Sequence, residues 1–167
     1  MPSSVIEKDL NPDIFIGISL PLSHTDEGFF KKTKTTLDQT RYNIRNLLLT
    51  IKGERLGNPS FGSDLYRILF EPNDGSIAEK IEEAIRSSMN EYLSYVNIES
   101  IEVTTSNEFN NAVNVKLKFT LDVDQRVAQM DLYLRRDDLA AGDGYEVSNL
   151  LTGETVDTFE VSPFYDY

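Results

Sequence analysis

LLLTIKGERLGNPSFGSDLYRILFEP, residues 47–72, is the stretch around which the remainder of the chain is arranged. Its first residues complete an amphipathic helix, with Gly53 in the place of a C-terminal stop. The charged pair Glu54 and Arg55 leads into a turn-rich connection, Gly57-Asn58-Pro59-Ser60-Phe61-Gly62. A second apolar segment, from Leu65 to Phe70, ends at Glu71 and Pro72. Three glycines and a proline between positions 53 and 62 imply a backbone held in one shape, because glycine reaches positive φ and proline fixes its own. Gly53, Gly57 and Gly62 are the positions expected at positive φ. A flexible linker would be polar throughout; this one carries Phe61 at its centre, which is expected to be buried.

Outward from this stretch, helical spacing of Leu37, Thr40, Ile44, Leu47, Leu48 and Ile51 predicts a first helix over residues 37–51, with Arg41, Asn43 and Arg45 facing out. Ser63 and Asp64 are candidate caps for a short second helix that buries Leu65, Ile68 and Leu69, and Pro72 ends it. A third helix opens on a capping-box pattern, Ser76 with Glu79, and carries the stripe Ile77, Ile81, Ala84, Ile85, Met89 and Leu93. Beyond Tyr95 the period drops to two. Ile98, Ile101 and Val103 predict a strand with an irregularity near Glu99 and Ser100. Asn110 and Asn111 mark a turn. Val113, Val115, Leu117, Phe119 and Leu121 alternate with polar residues, as do Met130, Leu132 and Leu134. Three sequential strands make an antiparallel meander. The class is α+β, about three helices on one face of a small sheet of about three strands.

The ends differ from this core. Residues 1–16 read as an N-terminal arm, 17–136 as the core domain and 137–167 as an acidic C-terminal extension. A short strand or extended segment is expected from Ile14 to Pro21. Lys31, Lys32 and Lys34 form a basic cluster read as a solvated face. The extension has a hinge at Gly142-Asp143-Gly144, β-prone runs at residues 145–147 and 155–161, and an aromatic end, Phe164-Tyr165-Asp166-Tyr167.

At 167 residues the chain suits one domain with a single core. With no cysteine there are no disulfides, thiolate metal sites or cysteine nucleophiles. Apolar runs are too short to span a membrane and no secretory leader is legible, so a protein made and assembled in a cytoplasm is expected. The net charge is −12; eight acids and no Lys or Arg after Arg136 give −8 there and leave −4 for the rest. That balance disfavours direct nucleic-acid binding, which needs cationic surface against phosphates. It suits a partner with a basic patch.

For chemistry, Glu54 and Glu71 are the carboxyls placed for glycoside hydrolysis, which needs a pair with one held protonated by apolar surroundings. Arg55 beside Glu54 suits an ion pair better, and the chain has no tryptophan to build a sugar cleft. His24 is the single histidine, so no Ser-His-acid set is assembled. Acidic pairs such as Asp122 with Asp124 lack the calcium-loop pattern. The expectation is no catalytic residue, no metal and no cofactor.

The run NLLLT-KGER-GNPSFGSDL-LFEP, dense from Asn43 to Pro72, resembles the gene-25-like baseplate wedge proteins of contractile-tailed phages, a family once called acidic lysozyme. A type VI secretion baseplate subunit belongs to the same family. The resemblance implies a structural subunit of the virion tail baseplate, assembled in the host cytoplasm, whose partners are other wedge proteins and the tail sheath protein. It implies seeding of sheath assembly by strand sharing, in which a partner strand satisfies an exposed sheet edge. The rival readings are a peptidoglycan-cleaving lysozyme and the secretion-system subunit. The edge is expected along Val113, Val115, Leu117, Met130, Leu132 and Leu134. A second contact is expected through the extension at Tyr145, Phe159, Phe164, Tyr165 and Tyr167. Many relatives carry a Glu-Pro-Arg turn after the third helix; this chain reads Glu91-Tyr92-Leu93-Ser94-Tyr95 instead.

Overall fold

The computed structural model describes residues 9–11, 13–19, 22, 28–71, 75–106, 112–122 and 124–135. A two-residue hairpin, β1 (Gly17–Ile18) with β2 (Lys32–Thr33), precedes three helices, α1 (Thr36–Leu49), α2 (Leu65–Leu69) and α3 (Ile77–Tyr92). The strands β3 (Val96–Ser106), β4 (Ala112–Leu121) and β5 (Asp124–Arg135) then form an antiparallel sheet in the order β3-β4-β5. The class and layering are those expected from the sequence. β2 had no signal, because Lys-Thr is too short and polar to read as a strand.

α1 starts where Thr35 takes extended backbone and its hydroxyl accepts from the Asp38 amide. Asp9 adds a second carboxylate there, accepting from the Thr36 amide at 3.0 Å and its hydroxyl at 2.8 Å. Part of the expected N-terminal arm is therefore tied to this helix. The helix buries Thr40, Ile44, Leu47 and Leu48, and the Thr40 hydroxyl is satisfied by the Thr36 carbonyl. It ends at Leu49, before Gly53, so Gly53 is not its stop. Thr50 turns extended, and its hydroxyl donates to the Asn46 carbonyl at 2.6 Å, satisfying one of the helix's last acceptors. Arg41 and Asn43 do not face outward as expected: only 14% of the Arg41 side chain is exposed, and Asn43 bridges two other side chains.

α3 presents Ile77, Ile81, Ile85 and Met89 to the core, as its spacing predicts. The expected capping box does not form. Ser76 sits at the N-cap but with φ −92° and ψ −2°, a backbone that does not aim its hydroxyl at the first turn, and it makes no side-chain cap bond. Asp64 likewise makes no cap bond to α2; the Leu65 amide donates instead to the Ser63 hydroxyl at 3.4 Å.

The sheet follows its alternation. Val113, Val115, Leu117, Phe119 and Leu121 of β4 and Ala128, Met130, Leu132 and Leu134 of β5 are buried under the helices. The register shift between Ile98 and Ser100 is the expected irregularity of β3. β5 begins at Asp124, before the run of Met130, Leu132 and Leu134, because it pairs back on β4 as far as Leu121. Asn110 and Asn111, the hinge at Gly142 and the runs after it lie outside the described residues.

Candidate assembly surface

Residues 50–63 form a loop whose two ends are joined. The Ser63 amide donates to the Thr50 carbonyl at 2.9 Å, and Ile51 and Ser63 form a parallel bridge. Inside it, the Gly53 amide donates to the Pro59 carbonyl at 2.7 Å. The Glu54, Asn58 and Phe61 amides each donate three residues back, to Ile51, Arg55 and Asn58. The buried Ser63 hydroxyl donates to the Leu48 carbonyl at 2.5 Å, and Lys52 closes on Asp64 at 2.8 Å. This is a compact Ω-type loop that satisfies its own backbone.

Gly62 makes the closure possible. Its φ is +129°, and a Cβ there would collide with the Thr50 carbonyl oxygen and lie 3.1 Å from the Lys52 nitrogen. Gly53 also has positive φ, +95°, with open space around it. Gly57 does not: among the described residues the positive-φ glycines are 53, 62 and 75, so Gly57 needs no special conformation here.

Phe61 is half-buried rather than buried. Its ring packs edge-on against Tyr92 of α3 at 5.1 Å, and the Arg55 guanidinium lies 4.1 Å over it. Arg55 also donates to the Asn46 side chain at 3.0 Å. The expected Glu54–Arg55 ion pair is absent, since adjacent residues on this turn point apart; Glu54 accepts from the Ile51 amide at 3.3 Å instead. Glu71 pairs with Lys80 of α3 at 2.7 Å. Phe70 is 46% exposed and packs on Tyr66, and Leu56 at the loop's outer turn is 99% exposed. Pro72 and His24 lie outside the described residues.

Glu54 lines an open pocket of 170 Å³ with Leu48, Ile51, Leu65, Leu69 and Leu134, between the end of α1, α2 and the end of β5. No group of three or more His, Cys, Asp or Glu gathers as a metal site among the described residues.

The sheet edge is a correction in part. Val113, Val115 and Leu117 belong to β4, which is central and hydrogen-bonded on both sides. Met130, Leu132 and Leu134 belong to β5, an outer strand among the described residues. Their side chains face the core, so what this edge offers a partner is backbone, together with the outward side chains of Val127 and Tyr133. β3 is the other outer strand, and its bulge and the exposed Glu99 and Glu102 guard it against pairing. The extension residues Tyr145, Phe159, Phe164, Tyr165 and Tyr167 lie outside the described residues.

A polar chain that the sequence did not reveal ties the hairpin to the core. Thr33 donates to Gln39 at 2.6 Å, Gln39 to Asn43 at 2.9 Å, and Asn43 to the Tyr95 hydroxyl at 3.1 Å. Gly17 lies against Gln39 so closely that a Cβ would strike its amide. Tyr95 thus holds α1 from the turn that follows α3. Gln39 and Asn43 are four apart on one helix, which is the signal in hindsight. Nearby, burial raises the Tyr42 phenol above its ordinary value, with the Asp38 carboxylate adding to the shift.

Two solved structures share this fold. One, from Geobacter sulfurreducens and described as a tail lysozyme, aligns over 62% of this chain and 93% of its own, with 14% identity and a TM-score of 0.57. The other, from the baseplate of the anti-feeding prophage, aligns over 63% and 83%, with 15% identity and a TM-score of 0.56. No curated protein sequence matches the chain. The family model described as baseplate wedge protein gp25 matches residues 35–126, from the N-cap of α1 into the start of β5 and across the whole closed loop. That is more than half of the sequence, and the chain belongs to the gp25 family of baseplate wedge proteins.

Proposed function

We propose that this baseplate component links wedge subunits to the tail sheath and seeds the sheath by strand addition along β5. One observation carries the reading: β5 is a long outer strand on a two-layer domain, with no strand beyond it among the described residues. A partner strand laid there gains main-chain hydrogen bonds, and the buried inner face keeps the register fixed. The bulged, acidic β3 directs partners to the β5 side. The extension, through Tyr145, Phe159, Phe164, Tyr165 and Tyr167, supplies a second contact. Assembly takes place in the host cytoplasm, and residence is in the tail baseplate.

The test is co-expression with the sheath and wedge proteins of the same genome, comparing wild type with Tyr133→Asp and Val127→Lys. Both side chains are exposed on β5, so the fold should survive while sheath capture falls. Undiminished capture by the folded variants would refute the β5 contact.

The lysozyme reading has one point in its favour, the description of the Geobacter neighbour. Against it stand the two carboxyls. Glu71 is paired with Lys80 and two-fifths exposed, and Glu54 is solvent-exposed, so neither has the apolar burial that a general acid needs. The 170 Å³ pocket beside Glu54 is below the roughly 300–1,000 Å³ of small-ligand sites. A structural role without catalysis fits better.

A further inference from the structure

The hairpin carries a surface that the β5 contact does not use. Phe29 is 82% exposed, and Phe15, Phe30 and Ile18 are each more than two-fifths exposed. Lys31, Lys32 and Lys34 stand among them, all exposed. The Lys32 ammonium lies 4.4 Å and the Lys34 ammonium 5.6 Å from the Phe15 ring centroid. Among the described residues none of the three pairs with a carboxylate. In a chain of net charge −12 that is unusual: of three cations within four positions, two lie over an aromatic ring rather than against an acid.

One segment of this chain has the opposite composition. Residues 137–167 hold eight carboxylates and no Lys or Arg, and end in Phe159, Phe164, Tyr165 and Tyr167. We propose that the basic, aromatic face of the β1–β2 hairpin is a docking site for this chain's own acidic, aromatic extension, held in cis in the unassembled protein. Carboxylates meet the three ammoniums, and the extension's rings meet Phe15, Phe29 and Phe30.

The geometry allows it. β5 ends beside the C-terminal end of α1, where Leu134 lines one pocket with Leu48, Leu49 and Thr50. The hairpin sits at the other end, on Gln39. Fourteen residues of helix make that separation roughly 21 Å. A random chain of the length from Arg135 to Phe159 would span about 27 Å on average, which matches the gap. Matched spans give intramolecular contacts effective concentrations near the millimolar range, which favours the chain's own hairpin over that of a second copy. Docking in cis concerns the free chain and does not depend on the sheath contact; it identifies an acidic, aromatic strand as the chemistry this face accepts.

The chain lacks cysteine, so Ser162→Cys gives a single site for a nitroxide on the full-length protein. Amide signals of residues 14–19 and 28–34 should broaden, and the effect should persist on about tenfold dilution, as an intramolecular contact must. It should fall at least about threefold in about 1 M salt, where the Debye length is roughly 3 Å, and likewise in the triple variant Lys31→Glu, Lys32→Glu, Lys34→Glu. Unchanged thermal unfolding of that variant would show that its fold is intact. Broadening absent from the hairpin, or equal in the triple variant, overturns the proposal. Broadening that appears only when labelled and unlabelled copies are mixed assigns the face to a second copy and overturns docking in cis.

Discussion

Replacing Gly62 by alanine separates the two reasons for a glycine in the closed loop. At Gly53, alanine meets open space and bears only the conformational penalty of positive φ, about 1–2 kcal/mol. At Gly62 the same penalty applies, and the new methyl also strikes the Thr50 carbonyl oxygen, which is backbone and cannot swing aside. Relief requires the strands at Thr50 and Ser63 to part, which lengthens the 2.9 Å bond between them at a cost of about 0.5–1.5 kcal/mol. It also disturbs the buried bond from the Ser63 hydroxyl to the Leu48 carbonyl. The sum is about 3 kcal/mol or more for Gly62→Ala. Gly57→Ala, at ordinary φ in open space, should be neutral or slightly stabilising. Urea unfolding of the three variants gives the order directly, and in thermal unfolding Gly62→Ala should lose on the order of 10 °C. If Gly62→Ala and Gly57→Ala unfold at the same denaturant concentration, the closure at Thr50 and Ser63 does not hold the loop.

Phe61→Ala should cost about 2 kcal/mol, less than a buried core ring, because it loses one aromatic contact with Tyr92 and one guanidinium contact with Arg55; chemical denaturation measures it. Tyr42 contributes stability that is fully present below the unfolded phenol pKa of 10.0 and lost as pH rises through its higher folded value; in Tyr42→Phe the decline in stability above pH 10.0 should flatten. Glu71→Gln should cost no more than about 1 kcal/mol, since its ion pair with Lys80 is two-fifths exposed, and neither it nor Glu54→Gln should alter any clearing of a peptidoglycan suspension, read as turbidity. Deleting residues 140–167 should leave thermal unfolding of the core nearly unchanged while pull-down of wedge or sheath partners weakens; loss of the fold would place the segment in the core.

The sheet was legible because β4 and β5 alternate strictly, and the stripe of α3 because six apolar residues recur at helical spacing. What escaped reading was set by contacts between distant residues. α1 stops before Gly53 because Ser63, far along the chain, takes the carbonyl that a continuing helix would use. Arg41 and Asn43 look like surface residues on a helical wheel, but the hairpin and Tyr95 close over that side. The Ser76 and Glu79 pattern is present, yet the backbone entering α3 turns the serine away from its target. Glu54 and Arg55, neighbours in sequence, diverge in space for the same kind of reason: the turn that carries them is shaped by Gly53 bonding Pro59. The strand edge was placed on two strands because alternation reports which face is buried and says nothing about which strand is outermost.

The proposed strand addition would make demands that this architecture can meet by a division of labour. A docking edge must stay extended and fixed in register while free of a partner, yet resist pairing with the wrong strand. β5 is kept straight by its pairing with β4 from Ala112 to Phe119 and by inner side chains packed under the helices. The helices are fixed in turn by the closed loop, in which Phe61 bridges to Tyr92 of α3 and Ser63 to Leu48 of α1. The residues of the closed loop therefore need not touch a partner to matter for assembly. Under the proposed strand addition their part would be to lock the helical layer, and through it the edge, so that a partner strand would meet a surface already in its bound shape with little ordering left to oppose binding. On this account loop variants that remain folded should weaken capture of partners in proportion to their loss of stability, whereas Tyr133→Asp should weaken capture with stability unchanged.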